Sequence, residues 1–355
     1  MSEAADRSSG PSSDAMPAAR SPLLLRTARL VLLLAGGVAI AWLVREVGPG
    51  AIWSILTRLG WRLGLLLCFP FSLAVLLDTL GWQVLLRDHR VPLLLLVSAR
   101  LAGEAVNLTT PTASVGGEPL KAYLLRPHVP LAEGLASVVV DKTTVVAGQV
   151  LFLAAGIGIA VLHVPPSSAL VISMTLLLGV QVVCTGGFVM VQTLGVFGGG
   201  GRFLGRIGVG SARQFQHGLD SMDEWLQRFY RERRARLAAS ILLHAAAWAA
   251  GGLEIYLVLV FLGVDASAGD ALAIEAFGSA VKFASFMIPG SLGVLEGGYV
   301  AFFKAFGLAG AMGLSYTLIR RLREVAWAAV GYVWLASLRA RPPLPGEWAD
   351  AAPDA

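Results

Sequence analysis

The chain has 355 residues, 56% of them hydrophobic and 14% charged, with a net charge of +5 and a mean hydropathy of +0.70. Soluble domains run nearer to about 45–50% apolar and about 25% charged. The composition excludes an ordinary soluble enzyme and a disordered chain, and it leaves a polytopic membrane protein; the apolar runs, each long enough for a spanning helix, make the expected fold all-α.

Residues 1–22 are polar and rich in Ser, Ala and Pro, and read as a disordered tail. The apolar run 30–44 follows Arg20, Arg26 and Arg29, which predicts a first span with a cytoplasmic N-terminus. Arg62 and Arg87 bracket 24 residues whose one charge is Asp78, a second span. Between Lys142 and Arg202 lie 59 residues without Asp, Glu, Lys or Arg, enough for two helices, with Pro165 and Pro166 as the break. Cys68 and Cys184 fall inside apolar runs and read as packing residues.

Residues 202–236 hold eight Arg and four acidic residues. Phe215, Leu219, Met222, Leu226 and Phe229 form one stripe at helical spacing. Two readings stand equal: a basic amphipathic helix on the membrane surface, or a solvated connector packed on its own protein. Residues 237–262 form a further span carrying His244 and Glu254. From 271 to 338 the chain stays apolar but is cut by Pro289, several glycines and the Arg cluster at 320–323. Residues 342–355 read as a disordered tail. The expected division is a domain at 23–341, with halves at 63–195 and 237–338 joined by the basic connector.

With basic loops inside the cell, 45–62 is outer, 87–91 inner, 163–167 outer, 202–236 inner and 263–270 outer. The path closes only if 92–130 enters and leaves on the inner side and 271–310 on the outer side. Both segments would then be re-entrant, which buried or cavity-lining backbone permits. The two echo each other. Glu104 and Glu275 each open a segment followed by Ala. Pro111 and Pro289 each precede Gly-rich stretches, Gly116-Gly117 and Gly290 to Gly293, and a Glu follows seven residues after each Pro, Glu118 and Glu296. Paired broken helices of opposite orientation point to a transporter site; two plain Pro/Gly kinks in a bundle are the bland alternative. The expected fold is therefore a membrane bundle of two oppositely oriented, related halves.

An ionisable group at the bilayer centre costs roughly 2.5–3.5 kcal/mol on insertion scales. Glu104, Asn107, Glu118, Lys121, Asp141, Glu275, Lys282, Glu296, Arg320 and Arg321 are the candidate lining of a polar cavity, with Pro111, Gly116, Gly117, Pro289 and Gly293 shaping its backbone. Arg100 with Glu104, Glu118 with Lys121, and Arg320 with Glu324 are spaced to pair on one helix face. Asp141-Lys142 also fits an interfacial pair at a helix start, with Lys142 snorkelling. Arg320 and its neighbours either end one helix and start another, or face the cavity and grip an anionic headgroup. No nucleotide loop, zinc-protease or serine-hydrolase motif is present, and the histidines at 89, 128, 163, 217 and 244 lack metal spacing. No cofactor is implied.

At these residues the chain resembles the transmembrane region of the lysylphosphatidylglycerol synthase/flippase family. Gly103-Glu104-Ala-Val-Asn107, the run from Pro111 to Gly116-Gly117-Glu118-Pro119-Leu120-Lys121, and Ala136-Ser137-Val138 with Asp141 carry the likeness. So do the run from Pro289 to Gly298 and Arg320-Arg321-Leu322-Arg323-Glu324. The wording is similar to a hopanoid-biosynthesis-associated subgroup. The resemblance covers about residues 25–340 and implies movement of lipid between leaflets of a bacterial inner membrane. It does not imply synthesis, since relatives place amino-acid transfer in a separate soluble domain. Expected partners are membrane lipids with anionic headgroups, not nucleic acid, with a second copy or a biosynthetic enzyme as further candidates. Two other functions stay open: a non-transporting accessory subunit, and a transferase using Glu118 or Asp141 as a base.

Overall fold

The structure, a computed structural model, describes residues 49–109, 116–195 and 213–339, with Arg45 and Gly199. The expected span at 30–44, Pro111 and both tails lie outside the described residues. Within them the protein is all-helical, with eleven α-helices. They are α1 (Pro49–Leu59), α2 (Arg62–Leu85), α3 (Leu93–Thr109), α4 (Glu118–Leu125), α5 (Leu131–Ala160), α6 (Ala169–Thr193), α7 (Arg213–Glu232), α8 (Arg234–Phe261), α9 (Ala268–Ala284), α10 (Val294–Ala305) and α11 (Gly310–Arg339). Four of them, α2, α5, α6 and α8, are long and apolar enough to cross a bilayer. At about 1.5 Å per residue, even the 24 residues of α2 exceed the roughly 30 Å of hydrocarbon.

The helices have two recognisable ends. Arg62 donates to the Phe261 carbonyl at 3.1 Å, and Arg236 donates to Asp88 at 2.8 Å. So α2 and α8 run antiparallel. Ser240 donates to Thr144 and Trp248 to the Val145 carbonyl, which sets α5 parallel to α8. His89 meets Glu133 at 3.0 Å at the Asp88 end. His163 meets Asp270 at 3.5 Å and stacks near Phe306 at the opposite end. The α9–α10 pair thus starts and finishes beside the His163 turn. On α2, α5 and α8 the apolar core falls into two blocks. Asp78, Asp141 and His244 sit between the blocks.

Local rules explain the irregularities. Pro70 interrupts the hydrogen-bond ladder of α2. Trp327 of α11 donates to the Leu67 carbonyl one turn earlier, at 2.9 Å. Ser267 caps α9 through a reciprocal bond with Asp270. Between α9 and α10 the chain turns through a short 3-10 segment, Pro289–Ser291. Gly290 and Gly293 take positive φ there, 61° and 80°, angles that favour glycine.

Several expectations are corrected. The segment 45–62, expected as an outer loop, contains the helix α1. Arg320 to Arg323 do not divide two helices but lie inside the continuous α11. Met222, Leu226 and Phe229 of α7 are buried in the core at the Asp88 end, so this stretch of the connector packs on its own protein. Cys68 and Cys184 are exposed and free, not packing residues. A membrane helix is apolar all round, so hydropathy alone does not tell its lipid face from its buried face.

Candidate functional site

The first cluster forms where α3, α4 and α5 meet. Gly103 and Gly117 let α3 and the turn before α4 touch backbone to backbone; a Cβ on Gly117 would collide with the Gly103 carbonyl. Asn107 then closes the gap, accepting from the Gly117 amide at 2.7 Å and donating to Glu118 at 3.1 Å. Lys121, itself buried, donates to Glu104 at 2.9 Å and to Glu118 at 3.2 Å. Lys142 of α5 donates to Glu118 at 2.9 Å. Gly116 belongs to the same turn.

Asp141 points the other way. It is buried and accepts two hydrogen bonds from Arg100, at 3.0 and 2.9 Å. Two expectations therefore change. Arg100 pairs with Asp141 rather than with Glu104, because α5 brings a buried acid closer than the helix's own i+4 neighbour. Asp141-Lys142 is not an interfacial pair at a helix start, since α5 begins ten residues earlier and both side chains bind inside the bundle.

The second cluster is locked. Glu275 of α9 accepts from Tyr299 at 2.5 Å, from Tyr316 at 3.2 Å and from Arg320 at 2.9 Å. Gly278 makes the room: a Cβ there would overlap the Tyr299 hydroxyl. Glu296 caps α10 through the Gly293 amide at 2.7 Å and accepts from Arg321 at 2.9 Å. Arg321 also binds Glu324, and Arg323 of α11 forms an ion pair with Glu254 of α8. Arg320 is thus enclosed by its own protein and is not open to grip a headgroup. Pro289 and Gly293 shape the break before α10.

Accessibility separates the two clusters. Glu104 keeps 51% of its side-chain surface accessible and Lys142 39%, although both lie deep among helices. Glu275 and Glu296 are buried. Lys282 near the end of α9 is exposed yet similarly surrounded, within electrostatic reach of Glu324 and Glu104. It makes no ion pair within 4 Å among the described residues. Accessible charge enclosed by helices is the mark of a polar cavity. Among the described residues no group of three His, Cys, Asp or Glu is placed to hold a metal ion.

The family model for the lysylphosphatidylglycerol synthase TM region matches residues 28–331. The chain belongs to that family. A UPF0104 membrane protein of Methanothermobacter thermautotrophicus is 24% identical over 314 residues, covering 82% of this chain and 90% of that protein. No solved structure matches the chain. This member of the lysylphosphatidylglycerol synthase TM region family is a membrane protein with several spanning helices.

Sequence reasoning missed other site residues. For Lys142 the sequence leaves an interfacial and a buried role open, His244 carries no metal spacing, and Tyr299 and Tyr316 give no signal. The one legible hint was charge density: Asp78, His244 and Glu254 sit inside apolar spans.

Proposed function

We propose that the protein moves lipid between leaflets, with the headgroup held at the first cluster and the acyl chains left in the bilayer. The observation that carries this reading is the accessible ionic group of Glu104, Glu118, Lys121 and Lys142, with Lys282, which makes no ion pair within 4 Å among the described residues, in electrostatic reach of Glu104. Lys142 and Lys282 supply positive charge for a phosphate, and Glu104 supplies negative charge for an amino group. An anionic or aminoacylated phospholipid carries such groups; a hopanoid-type lipid is the further candidate. The protein acts as a carrier in this reading, without catalysis, since the oxygens of Glu118 and Asp141 are engaged by lysines and an arginine.

In the same reading α3–α4 and α9–α10 are re-entrant pairs inserted from opposite faces of an inner membrane. Support comes from the contacts of His163 with both ends of α9–α10, and from the return of α4 to the Asp88 end, where Val129 joins the core there. Arg87, Arg90, Arg126, Arg231, Arg233 and Arg234 gather at the Asp88 end, which supports reading that end as the cytoplasmic side.

The test is translocation of fluorescent phosphatidylglycerol in proteoliposomes, read by dithionite quenching, against the phosphatidylcholine analogue. The reading expects protein-dependent exchange, faster for the anionic probe. Rates equal to those of protein-free vesicles for both probes would contradict it.

A further inference from the structure

The lipid site leaves Asp78 and His244 without a role, and His244 is the more telling. It stands in the middle of α8 with no accessible side-chain surface. Its ring fills a slot cleared by two glycines. A Cβ on Gly81 of α2 would lie 2.8 Å from Nε2, and one on Gly148 of α5 would lie 2.9 Å from the His244 Cβ.

The slot has a carboxylate at each end. Nδ1 is 2.7 Å from Asp78 Oδ1. Nε2 is 3.2 Å from Asp141 Oδ1, at ion-pair distance although out of hydrogen-bond alignment. Behind Asp141 stands Arg100 of α3, which also donates to the Asp78 carbonyl at 2.9 Å. These are the titratable and charged groups that face the ring: Asp78 from α2, Asp141 from α5, and Arg100 beyond Asp141.

Charge balance gives the arrangement its meaning. Around the ring two carboxylates, Asp78 and Asp141, face one permanent cation, Arg100. A proton on the His244 ring balances the second carboxylate. An uncompensated buried charge is costly. Access is one-sided: the Asp78 side chain keeps 29% of its surface, whereas Asp141 is buried.

We propose that Asp78, His244 and Asp141 form a proton-binding site. A proton from bulk water reaches His244 Nδ1 through the Asp78 carboxylate, converts the imidazole to imidazolium, and leaves by the same atoms in reverse. The charged ring ties α2 to α5 across α8, one residue from the Lys142 of the lipid site. The site goes beyond the transport reading and is measurable without any lipid movement.

The experiment is nitrogen NMR of the full-length protein labelled with 15N-histidine in lipid nanodiscs, with His244→Gln to assign the ring. The wild-type protein at pH 7 is expected to show both His244 nitrogens protonated. In Asp78→Asn the ratio of imidazolium to imidazole at that pH falls by at least about tenfold, as expected when an opposite charge within 4 Å is removed; Asp78→Glu restores it. A neutral, singly protonated ring in the wild-type protein overturns the proposal, and so does an imidazolium that Asp78→Asn leaves unchanged. The wild-type spectrum decides even if a variant fails to fold. Absence of lipid translocation would sink the transport reading and leave this spectrum as it is.

Discussion

Arg320→Met removes the cation that holds Glu275 at 2.9 Å and tests whether the second cluster is architecture. Breaking a buried ion pair from one side costs about 3–5 kcal/mol, because the partner is left charged and desolvated. Here Glu275 keeps two hydroxyl donors, Tyr299 and Tyr316, so the low end applies, about 3 kcal/mol. Glu275→Gln leaves the buried Arg320 with Tyr299 at 2.9 Å and Glu324 at 3.6 Å, and costs a similar amount. The double variant Arg320→Met/Glu275→Gln buries no unmatched charge. It should be more stable than the sum of the singles implies by at least about 1.5 kcal/mol. The assay is reversible unfolding of the purified protein in mixed dodecyl sulfate micelles, followed by tryptophan fluorescence. A cost under about 1 kcal/mol for Arg320→Met, or strict additivity in the double variant, would refute the reasoning. The folded fraction of Arg320→Met should translocate lipid at the wild-type rate.

Gly117→Ala forces a methyl group into the Gly103 carbonyl, and the backbones must part. A loss of about 1–3 kcal/mol is expected by the same unfolding assay, together with slower translocation. Lys282→Gln removes a cation that makes no ion pair within 4 Å among the described residues, so stability should change by less than about 0.5 kcal/mol while exchange of the anionic probe slows several-fold. Asp88 lies outside the spans, and the hydrogen bonds from Arg236 hold its carboxyl below the usual carboxylate range. A depressed acid stabilises above its unfolded value, near pH 4, and the benefit fades as pH falls through the lower folded value. The pair is half-exposed and screened, so the stability gap between wild type and Asp88→Asn should stay under about 1 kcal/mol at pH 7 and shrink as pH falls below about 4.

The apolar spans within α2, α6 and α8 and the break at Pro289 were legible because hydropathy and proline report backbone solvation directly. The partners of the charges were not. Arg100 and Glu104 share a helix face at the favoured spacing, yet each is claimed by a residue from another helix, Asp141 and Lys121. Spacing predicts the better pair only where water screens the alternatives. In a bundle interior the deepest opposite charge wins. Glu118 and Lys121 were legible because the three-residue spacing and the tertiary packing agree. Glu296 echoes Glu118 in sequence but spends its oxygens on the Gly293 amide and Arg321. The echo therefore does not mark a shared chemical role for the two carboxylates. The stripe on α7 had the right period, and only the packing reveals that the protein itself covers Met222, Leu226 and Phe229.

The central claim is that lipid headgroups are held by the accessible cluster around Glu118, where Asn107, Lys121 and Lys142 converge. The most direct test is the translocation rate of fluorescent phosphatidylglycerol in proteoliposomes holding equal amounts of folded wild type, Glu118→Gln and Lys142→Gln. The account predicts a loss of at least about tenfold in both variants, equivalent to about 1.4 kcal/mol in the barrier. Wild-type rates in both folded variants would contradict it.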